Sequence, residues 1–304
     1  QDVDNYKYRT AFASVKGVGL INCSTYALTV NNLKLSGKIS VKTYNNDGQS
    51  YVNEDLSTGG IVGGVQSSCT FSVITLTDLE IYGAYTVGGL IGKSTNTINI
   101  SNVKSENSGV YVYGGFETGG LVGNSQKGNE FAVKDSKIKI NKVEFANLDK
   151  GTKTWFGVGG IAGSANIKTT ISNVQLTAYN EDSFIGSKKD NKPLATQTMN
   201  EGGLIGLSNG YTSSGGMVGT QNAAVTISKS AVKNATIGIP TAKTGDAGIG
   251  GYVGIKANGD LKISDCEVNN VTLSAEDKSN GAGAGGVIGH NDRGSTYAYD
   301  ILIN

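Results

Sequence analysis

Few side chains in this sequence are of the types that catalyse hydrolysis or bind a metal ion. The single histidine, His290, stands in Gly289-His290-Asn291-Asp292, which we predict to be a turn. A zinc peptidase of the HExxH type needs two histidines. A Ser-His-Asp or Cys-His site would depend on His290, which is far in sequence from Cys23 and Cys69. We therefore interpret His290 as a solvated loop residue, and predict no catalytic residue, metal site or cofactor.

If the chain is an enzyme, the strongest candidate class is a polysaccharide lyase or hydrolase, because many of these enzymes are β-helices and act through carboxylates. Such enzymes need paired carboxylates, or an acidic calcium cluster with a basic residue. Asp78 with Glu80 is the best local pair, and Asp265 with Glu267 is the next. Residues 10–292 contain no arginine, which weakens the lyase interpretation. A pair at i and i+2 on a strand is usually a solvated face, so catalysis stays the alternative.

Aromatic side chains are the candidate ligand-binding residues. Tyr82, Tyr111 and Tyr113 fall on the outward side of predicted strands in consecutive repeats, and Trp155 and Phe156 occupy the comparable stretch of the next repeat. If the repeats stack, these rings form a stripe that could bind a glycan or anchor a host or matrix protein. The alternative is that the rings pack on each other between strands.

Composition excludes several other classes of protein. The formal net charge of +1 leaves no electrostatic footprint for nucleic acid. No stretch approaches the roughly 18 apolar residues of a membrane-spanning helix. The three cysteines, Cys23, Cys69 and Cys266, are too widely spaced for a zinc or redox motif or a dense disulfide framework. Cys266 falls at an inward position of its repeat, where we expect core packing, and Cys69 aligns in the same way.

A glycine–hydrophobic motif, GG-φ-φ-G with φ apolar, organises the whole chain. Well-formed copies begin at Gly59, Gly88, Gly119, Gly159, Gly202, Gly215, Gly250 and Gly285, and a degenerate copy surrounds Leu20. Most copies are about 30 to 40 residues apart, a spacing typical of solenoid repeats. A phosphate-binding loop would require a following helix, whereas strand patterns follow here. We interpret the φφ pair as a short strand and the paired glycines as a corner that permits positive φ and close backbone approach.

Two alternating segments follow each motif and define the fold. The first has the form φ-x-φ-(Ser/Asn)-(Asn/Asp/Lys)-φ, as in Ile98-Ile100-Asn102-Val103, and its Asn or Asp suits a left-handed turn. The second sets Leu79 and Ile81 against Glu80 and Tyr82. Strict alternation indicates half-buried strands, and a unit of about three short strands buries its apolar face only by stacking. The sequence thus predicts an all-β, right-handed parallel β-helix.

We predict one solenoid over residues 17–304 with about nine repeats. Residues 1–16 are a candidate N-terminal cap, and residues 179–200 are a polar loop insertion. An ice-binding solenoid would need a Thr-x-Thr pair at the same position of each repeat. The pairs that begin at Thr95, Thr152 and Thr196 do not share a position in the repeat, so we discount that class.

The repeats resemble the GLUG motif of bacterial surface and secreted proteins. That motif centres on GG-L-(V/I/A)-G with an isoleucine–asparagine segment after it, as in residues 88–102. The resemblance covers about residues 17–304, although residues 41–58 and 178–200 depart from the pattern. It implies an extracellular or cell-surface setting and a role in adhesion or as a spacer, and it supplies no catalytic residues. The expectation is a non-enzymatic adhesion or display protein, with a β-helical carbohydrate-active enzyme as the alternative.

Overall fold

The computed structural model of this chain is all-β and contains no helix in the residues it describes. Those residues are 16–41, 56–83, 85–114, 117–145, 157–186, 205–208, 211–215, 218–221, 223–239, 247–256, 259–275, 282–291 and 301–303. The strands recur in one order, shown by the segment 86–114. A short strand, Thr86–Gly88, is followed by a bend, a second short strand, Ile91–Ser94, and a long strand, Ile98–Gly114.

Equivalent strands pair in parallel and form three ladders, which we call the first, second and third ladder. The first contains Lys16–Val18, Leu56–Gly59, Thr86–Gly88, Glu117–Gly119, Gly157–Gly159, Tyr211–Gly215, Ala247–Gly250 and Ala282–Gly285. The second contains Ile21–Ser24, Val62–Val65, Ile91–Ser94, Val122–Ser125, Ala162–Ala165, Val218–Gln221, Val253–Lys256 and Ile288–Asn291. The stacked parallel sheets confirm the predicted all-β solenoid-like architecture.

The third ladder is built from the longer, alternating strands. It contains Leu28–Ser40, Cys69–Tyr82, Ile98–Gly114, Phe131–Phe145, Thr169–Ala178, Val225–Ser228, Leu261–Ser264 and Ile301–Ile303. Shorter strands continue it at Phe184–Gly186, Ala231–Lys233, Thr236–Ile239, Glu267–Asn269 and Thr272–Ala275. The strand Ile205–Ser208 is different, because it pairs antiparallel with Tyr211–Gly215. This hairpin joins the two motif copies that lie closest in sequence.

The GG-φ-φ-G motif forms the bend between the first two ladders. Its second glycine and first apolar residue make the bend, as at Gly89-Leu90, and its second apolar residue, Ile91, starts the next strand. The prediction that the two apolar residues form a short strand of their own was wrong, because Leu90 lies in the bend and only Ile91 is in a strand. Both side chains are fully buried. The bend keeps its place in the stack, because the Leu90 nitrogen donates to the Leu121 oxygen at 2.8 Å.

The motif glycines are required by close packing rather than by unusual backbone angles. Positive φ occurs at none of the described motif glycines, which corrects that part of the prediction. A Cβ on Gly92 would lie 2.6 Å from the Thr58 nitrogen, and one on Gly88 would lie 2.6 Å from the Gly123 nitrogen. Real Cβ contacts are longer than this, so the first and second ladders approach each other only where side chains are absent.

Left-handed residues instead form a column along the third ladder, which we call the first corner. Its members share a φ of 49° to 56° and lie opposite one another in successive strands: Asn32, Val73, Asn102, Asp135, Asn173, Lys229 and Asp265. The prediction of left-handed turns at Asn and Asp is confirmed. Neighbouring side chains also bond, since Asn173 Nδ2 donates to Asp135 Oδ1 at 2.8 Å.

A second corner lies farther along each long strand and varies in length. Asp78 alone joins Thr77 to Leu79, whereas Asn107, Ser108 and Gly109 join the opposite residues, Glu106 and Val110. The residues between Ala178 and Phe184 form the longest described connection at this corner, opposite Asn141. Pairing resumes after each of these insertions, so the register survives a change of length.

The core is aliphatic and lies between the ladders. Inward positions of the alternating segments, such as Ile98, Ile100, Val103, Val110 and Val112, are at most 1% exposed. Burying one such side chain contributes about 1.5–3 kcal/mol, so repetition along the ladders is the main source of stability. Cys69 joins this core, as expected, and Cys266 packs against it. The candidate cap at residues 1–16 lies outside the described residues apart from Lys16, as do residues 187–200 of the candidate insertion.

Candidate functional site

Three of the predicted aromatic residues, Tyr82, Tyr111 and Tyr113, lie on the outward face of the third ladder, just after the second corner. Register places Tyr113 opposite Tyr82, and Tyr111 opposite Glu80. The inward neighbours Leu79, Ile81, Val110 and Val112 are buried, as the alternation predicted. We call Tyr82, Tyr111 and Tyr113 the tyrosine strip. Trp155 and Phe156 lie outside the described residues.

The rings of the tyrosine strip contact each other across adjacent strands. The Tyr82 and Tyr111 ring centroids are 5.2 Å apart with the planes at 79°, which is an edge-to-face contact. The Tyr82 and Tyr113 centroids are 6.0 Å apart with the planes at 46°. Contacts of this kind add about 0.5–1.5 kcal/mol beyond the burial of area. The strip is therefore a connected aromatic surface. Tyr82 packs against both Tyr111 and Tyr113, so part of each ring is covered by a neighbouring ring.

Charged side chains border the strip and fix its hydroxyl groups. Tyr82 Oη donates to Glu80 Oε2 at 3.2 Å, and Tyr111 Oη donates to Glu144 Oε2 at 3.1 Å. Lys38 Nζ lies 4.3 Å from the Tyr82 ring centroid and 3.2 Å from Glu80 Oε2. Lys38 therefore covers part of the Tyr82 face by a cation–π contact.

The electrostatics of the strip keep its phenols protonated. Burial, followed by the charge of Glu80, raises the pKa of Tyr82. Burial, followed by the charge of Glu144, raises the pKa of Tyr111 and of Tyr113. A phenol with a raised pKa is a hydrogen-bond donor at neutral pH and a poor nucleophile or base. The chemistry available to the strip is stacking, apolar contact and hydrogen bonding.

The structure does not bring the candidate carboxylate pair Asp78 and Glu80 to a common point. Asp78 Oδ1 accepts from Ser108 Oγ at 2.6 Å and from the Ser108 nitrogen at 3.0 Å, and its Oδ2 accepts from Asn107 Nδ2 at 2.9 Å. These bonds, the Ser108 hydroxyl first, lower the pKa of Asp78. Glu80 is engaged by Lys38 and Tyr82 instead. Asp78 thus ties its own corner to the next one.

The other candidate residues are dispersed in the same way. Glu267 forms an ion pair with Lys233 and accepts from Asn269 Nδ2 at 2.8 Å, and the Lys233 contact is the main cause of its lowered pKa. Asp265 occupies the first corner. His290 lies in the strand Ile288–Asn291 rather than in the predicted turn. The strand there follows from pairing with Val253–Lys256, which sequence alternation alone does not reveal.

The cysteines are free thiols in separate parts of the stack. Burial raises the pKa of the Cys69 thiol to about 12, so it is inert as a nucleophile at neutral pH. Among the described residues, no group of three or more His, Cys, Asp or Glu side chains is placed to hold a metal ion.

Comparison with models of known families finds no match for this chain, and comparisons with curated proteins and with solved structures find none either. Across the described segments, no helix has the length and apolar character needed to cross a membrane. The outward face of the third ladder, with the tyrosine strip on it, is thus the candidate site that geometry alone defines.

Proposed function

We propose that this chain is a non-enzymatic bacterial β-solenoid, secreted or held at the cell surface, that serves adhesion or display. In this proposal the three ladders wind as a right-handed parallel β-helix with about three strands per coil, since parallel crossover connections are right-handed in about 98% of cases. The GLUG-type repeats support the extracellular assignment, because that motif is typical of bacterial surface proteins.

The observation that carries the proposal is the tyrosine strip on an in-register lateral face. Tyrosine combines a large apolar ring with a hydroxyl, which makes it frequent in binding surfaces. The strip lies beside charged side chains of both signs, Lys38 and Glu80 among them, as is usual at the rim of a binding surface. We propose that Tyr82, Tyr111, Tyr113, Trp155 and Phe156 contact a glycan or a host or matrix protein.

The test is a screen of the purified chain on immobilised glycans and matrix proteins, followed by substitution. Tyr111→Ala and Trp155→Ala should each weaken binding of a confirmed ligand by about tenfold, roughly 1.4 kcal/mol. Tyr26→Ala is the matched control, because Tyr26 is 83% exposed and lies in the turn before the strand Leu28–Ser40, away from the strip. Equal affinities for all three variants would remove the strip from the proposal.

The alternative is a β-helical polysaccharide lyase or hydrolase, and the same screen separates it. Incubation of the chain with polysaccharides should leave their chain length unchanged if the proposal is right. Release of shorter products that depends on Asp78 and Glu80 would favour the enzyme. The bonds from Ser108 to Asp78 weigh against it, since they lower the pKa of Asp78, and a carboxyl group that is ionised at neutral pH has no proton to donate as a general acid.

A further inference from the structure

A second surface of the third ladder lies before the first corner, and small polar side chains dominate it. Its two outward positions fall on either side of a buried residue such as Phe71, Ile100 or Ile171. The first column contains Thr29, Thr70, Asn99, Ala132, Thr170, Thr226, Lys262 and Leu302. The second column contains Asn31, Ser72, Ser101, Lys134, Ser172, Ser228 and Ser264. We call these two columns the hydroxyl strip.

The strip is uncharged over most of its length. Apart from Lys134, Lys262 and the terminal Leu302 it carries hydroxyl, amide or methyl groups only. The column just beyond the first corner, in contrast, contains Lys34, Lys104 and Lys137. Its side chains are exposed or half-buried. Hydroxyl and amide groups both donate and accept hydrogen bonds. A ligand with the same dual character and no charge is the chemical complement.

The spacing of the strip is set by the β-sheet. Adjacent parallel strands are about 4.8 Å apart, and positions i and i+2 are about 6.6 Å apart along a strand. A hydroxyl or amide therefore recurs at close to the length of one sugar ring along the stack. Each hydrogen bond to such a ligand contributes little in water. Many equivalent bonds on one chain add up through effective concentration.

We propose that the hydroxyl strip binds an extended, uncharged polysaccharide that runs along the stack, across successive strands. This inference rests on the proposed adhesive function and names the ligand class for a face other than the tyrosine strip. The low charge of the two columns favours an uncharged ligand. The regular spacing of polar groups from strand to strand favours a polymer of identical units.

A flexible chain fits the strip better than a rigid lattice such as ice. Ala132 and Lys134 stand at the same level, between Asn99 and Ser101 on one side and Thr170 and Ser172 on the other. An exposed lysine interrupts the flat array that a lattice needs. A polysaccharide can bend around one side chain and keep its contacts on both sides.

The experiment measures affinity for soluble neutral polysaccharides, namely β-glucan, xylan and mannan, and for their oligosaccharides of increasing length. Affinity should rise with oligosaccharide length. Ser72→Glu should weaken binding about tenfold. Its control is Thr75→Glu, a change of equal charge on the same strand, placed between Lys34 and Lys104 beyond the first corner.

A gain of affinity provides the second arm. Lys134→Ser should strengthen binding several-fold, because it joins the polar groups of the neighbouring strands into one strip. Lys137→Ser removes the same charge at the next outward position and should leave affinity unchanged. Equal effects of Lys134→Ser and Lys137→Ser, or of Ser72→Glu and Thr75→Glu, would overturn the inference.

Failure of the inference is distinguishable from failure of the proposed function. Binding of a matrix protein or a glycan without a response to the strip variants leaves the adhesive function in place and removes the strip. Inhibition of ice recrystallisation without polysaccharide binding would assign the strip to ice and overturn the inference. Absence of any ligand in both screens would contradict the adhesive function and the strip together.

Discussion

Val73 is the residue least suited to its position in the stack. It has a φ of 54° in the first corner, where most other members are Asn or Asp. A β-branched side chain in the left-handed region crowds its own backbone, which costs roughly 1–2 kcal/mol. The side chain is 49% exposed, so it recovers little of this cost by burial.

Val73→Asn should therefore raise the free energy of unfolding by about 1 kcal/mol. Asparagine tolerates the left-handed conformation, and Asn32 and Asn102 flank the site in the adjacent strands. Urea denaturation would measure the change. Thr75→Asn is the control, because it makes an asparagine on the same strand at an extended position. A Val73→Asn protein no more stable than the wild type would show that the corner carries no strain.

The sequence predicts the chemistry of the corner but not its full membership. Asn32, Asn102, Asn173 and Asp265 stand out because their side chains favour this turn. Lys229 fits the alternating pattern, which allows lysine at this position, although its side chain does not favour the turn. Val73 does not stand out, since it is recruited by register with its neighbours and not by its own preference.

At the scale of the element, the bend of the GG-φ-φ-G motif depends on its contact with the next bend along the stack. A Cβ on Gly89 would overlap the backbone oxygen of Gly120, whereas one on Gly286, at the same place in its own motif, would meet nothing within 4 Å. The glycine requirement therefore belongs to pairs of stacked bends and not to the bend alone.

Gly89→Ala should lower the free energy of unfolding by about 3 kcal/mol, because the backbone of either bend must move. Gly286→Ala should change it by less than about 0.5 kcal/mol. Thermal and urea denaturation of the two variants would measure this difference. Equal effects would mean that alanine acts through local backbone preference, and the packing explanation would be wrong.

The element scale also explains where prediction from sequence ended. The spacing of the motif and the alternation after it were enough to predict parallel, stacked strands. The assignment of positive φ to the glycines was wrong, because a glycine pattern does not distinguish left-handed geometry from close approach. That distinction depends on Gly63, Gly92 and Gly123 facing the backbone of the first ladder.

At the scale of the whole molecule, polar bonds recur along the outward faces, within one strand, between adjacent strands and between strands two apart in the third ladder. Lys34 Nζ lies 3.6 Å from Glu106 Oε2, and Lys104 Nζ lies 2.8 Å from Glu106 Oε1. The Lys104 contact is the main cause of the lowered pKa of Glu106. Asp78 and Glu267 have lowered pKa values through hydrogen bonds with Ser108 and Lys233 respectively. All three carboxylates are exposed to solvent, so each contributes modestly.

Acid should therefore destabilise the stack. A carboxylate with a pKa lower in the folded than in the unfolded chain adds stability above its unfolded pKa of about 4, and this stability is lost as the pH falls through the folded value. The midpoint of urea unfolding should stay level from about pH 7 to pH 5 and drop below about pH 4. The variant Asp78→Asn, Glu106→Gln, Glu267→Gln should show a smaller drop. An unchanged acid drop in the triple variant would contradict this account.

The candidate site was predictable to the same extent as the fold. Local alternation predicts which side chains point outward, whereas their contacts depend on the register between strands. Outward Tyr82, Tyr111 and Tyr113 could be predicted from alternation. Their mutual contacts, and the way Glu80 and Glu144 hold their hydroxyls, could not, because these depend on which strands are adjacent. The hydroxyl strip is less visible still in the sequence, since Thr70 and Thr170 are separated by many residues and become aligned only in the stack.

The second corner has a consequence for how chains of this design diverge. Connections as different as Asp78 and the segment between Ala178 and Phe184 leave the pairing on both sides intact. Insertions and deletions are thus expected to accumulate at this corner, beside the tyrosine strip. They are also expected between the third ladder and the next first-ladder strand, where three residues separate Tyr82 from Thr86 and eleven separate Phe145 from Gly157. A foreign peptide grafted between Asp78 and Leu79 should be tolerated for the same reason. The stack would hold that peptide at a fixed distance from the second corners of the adjacent strands.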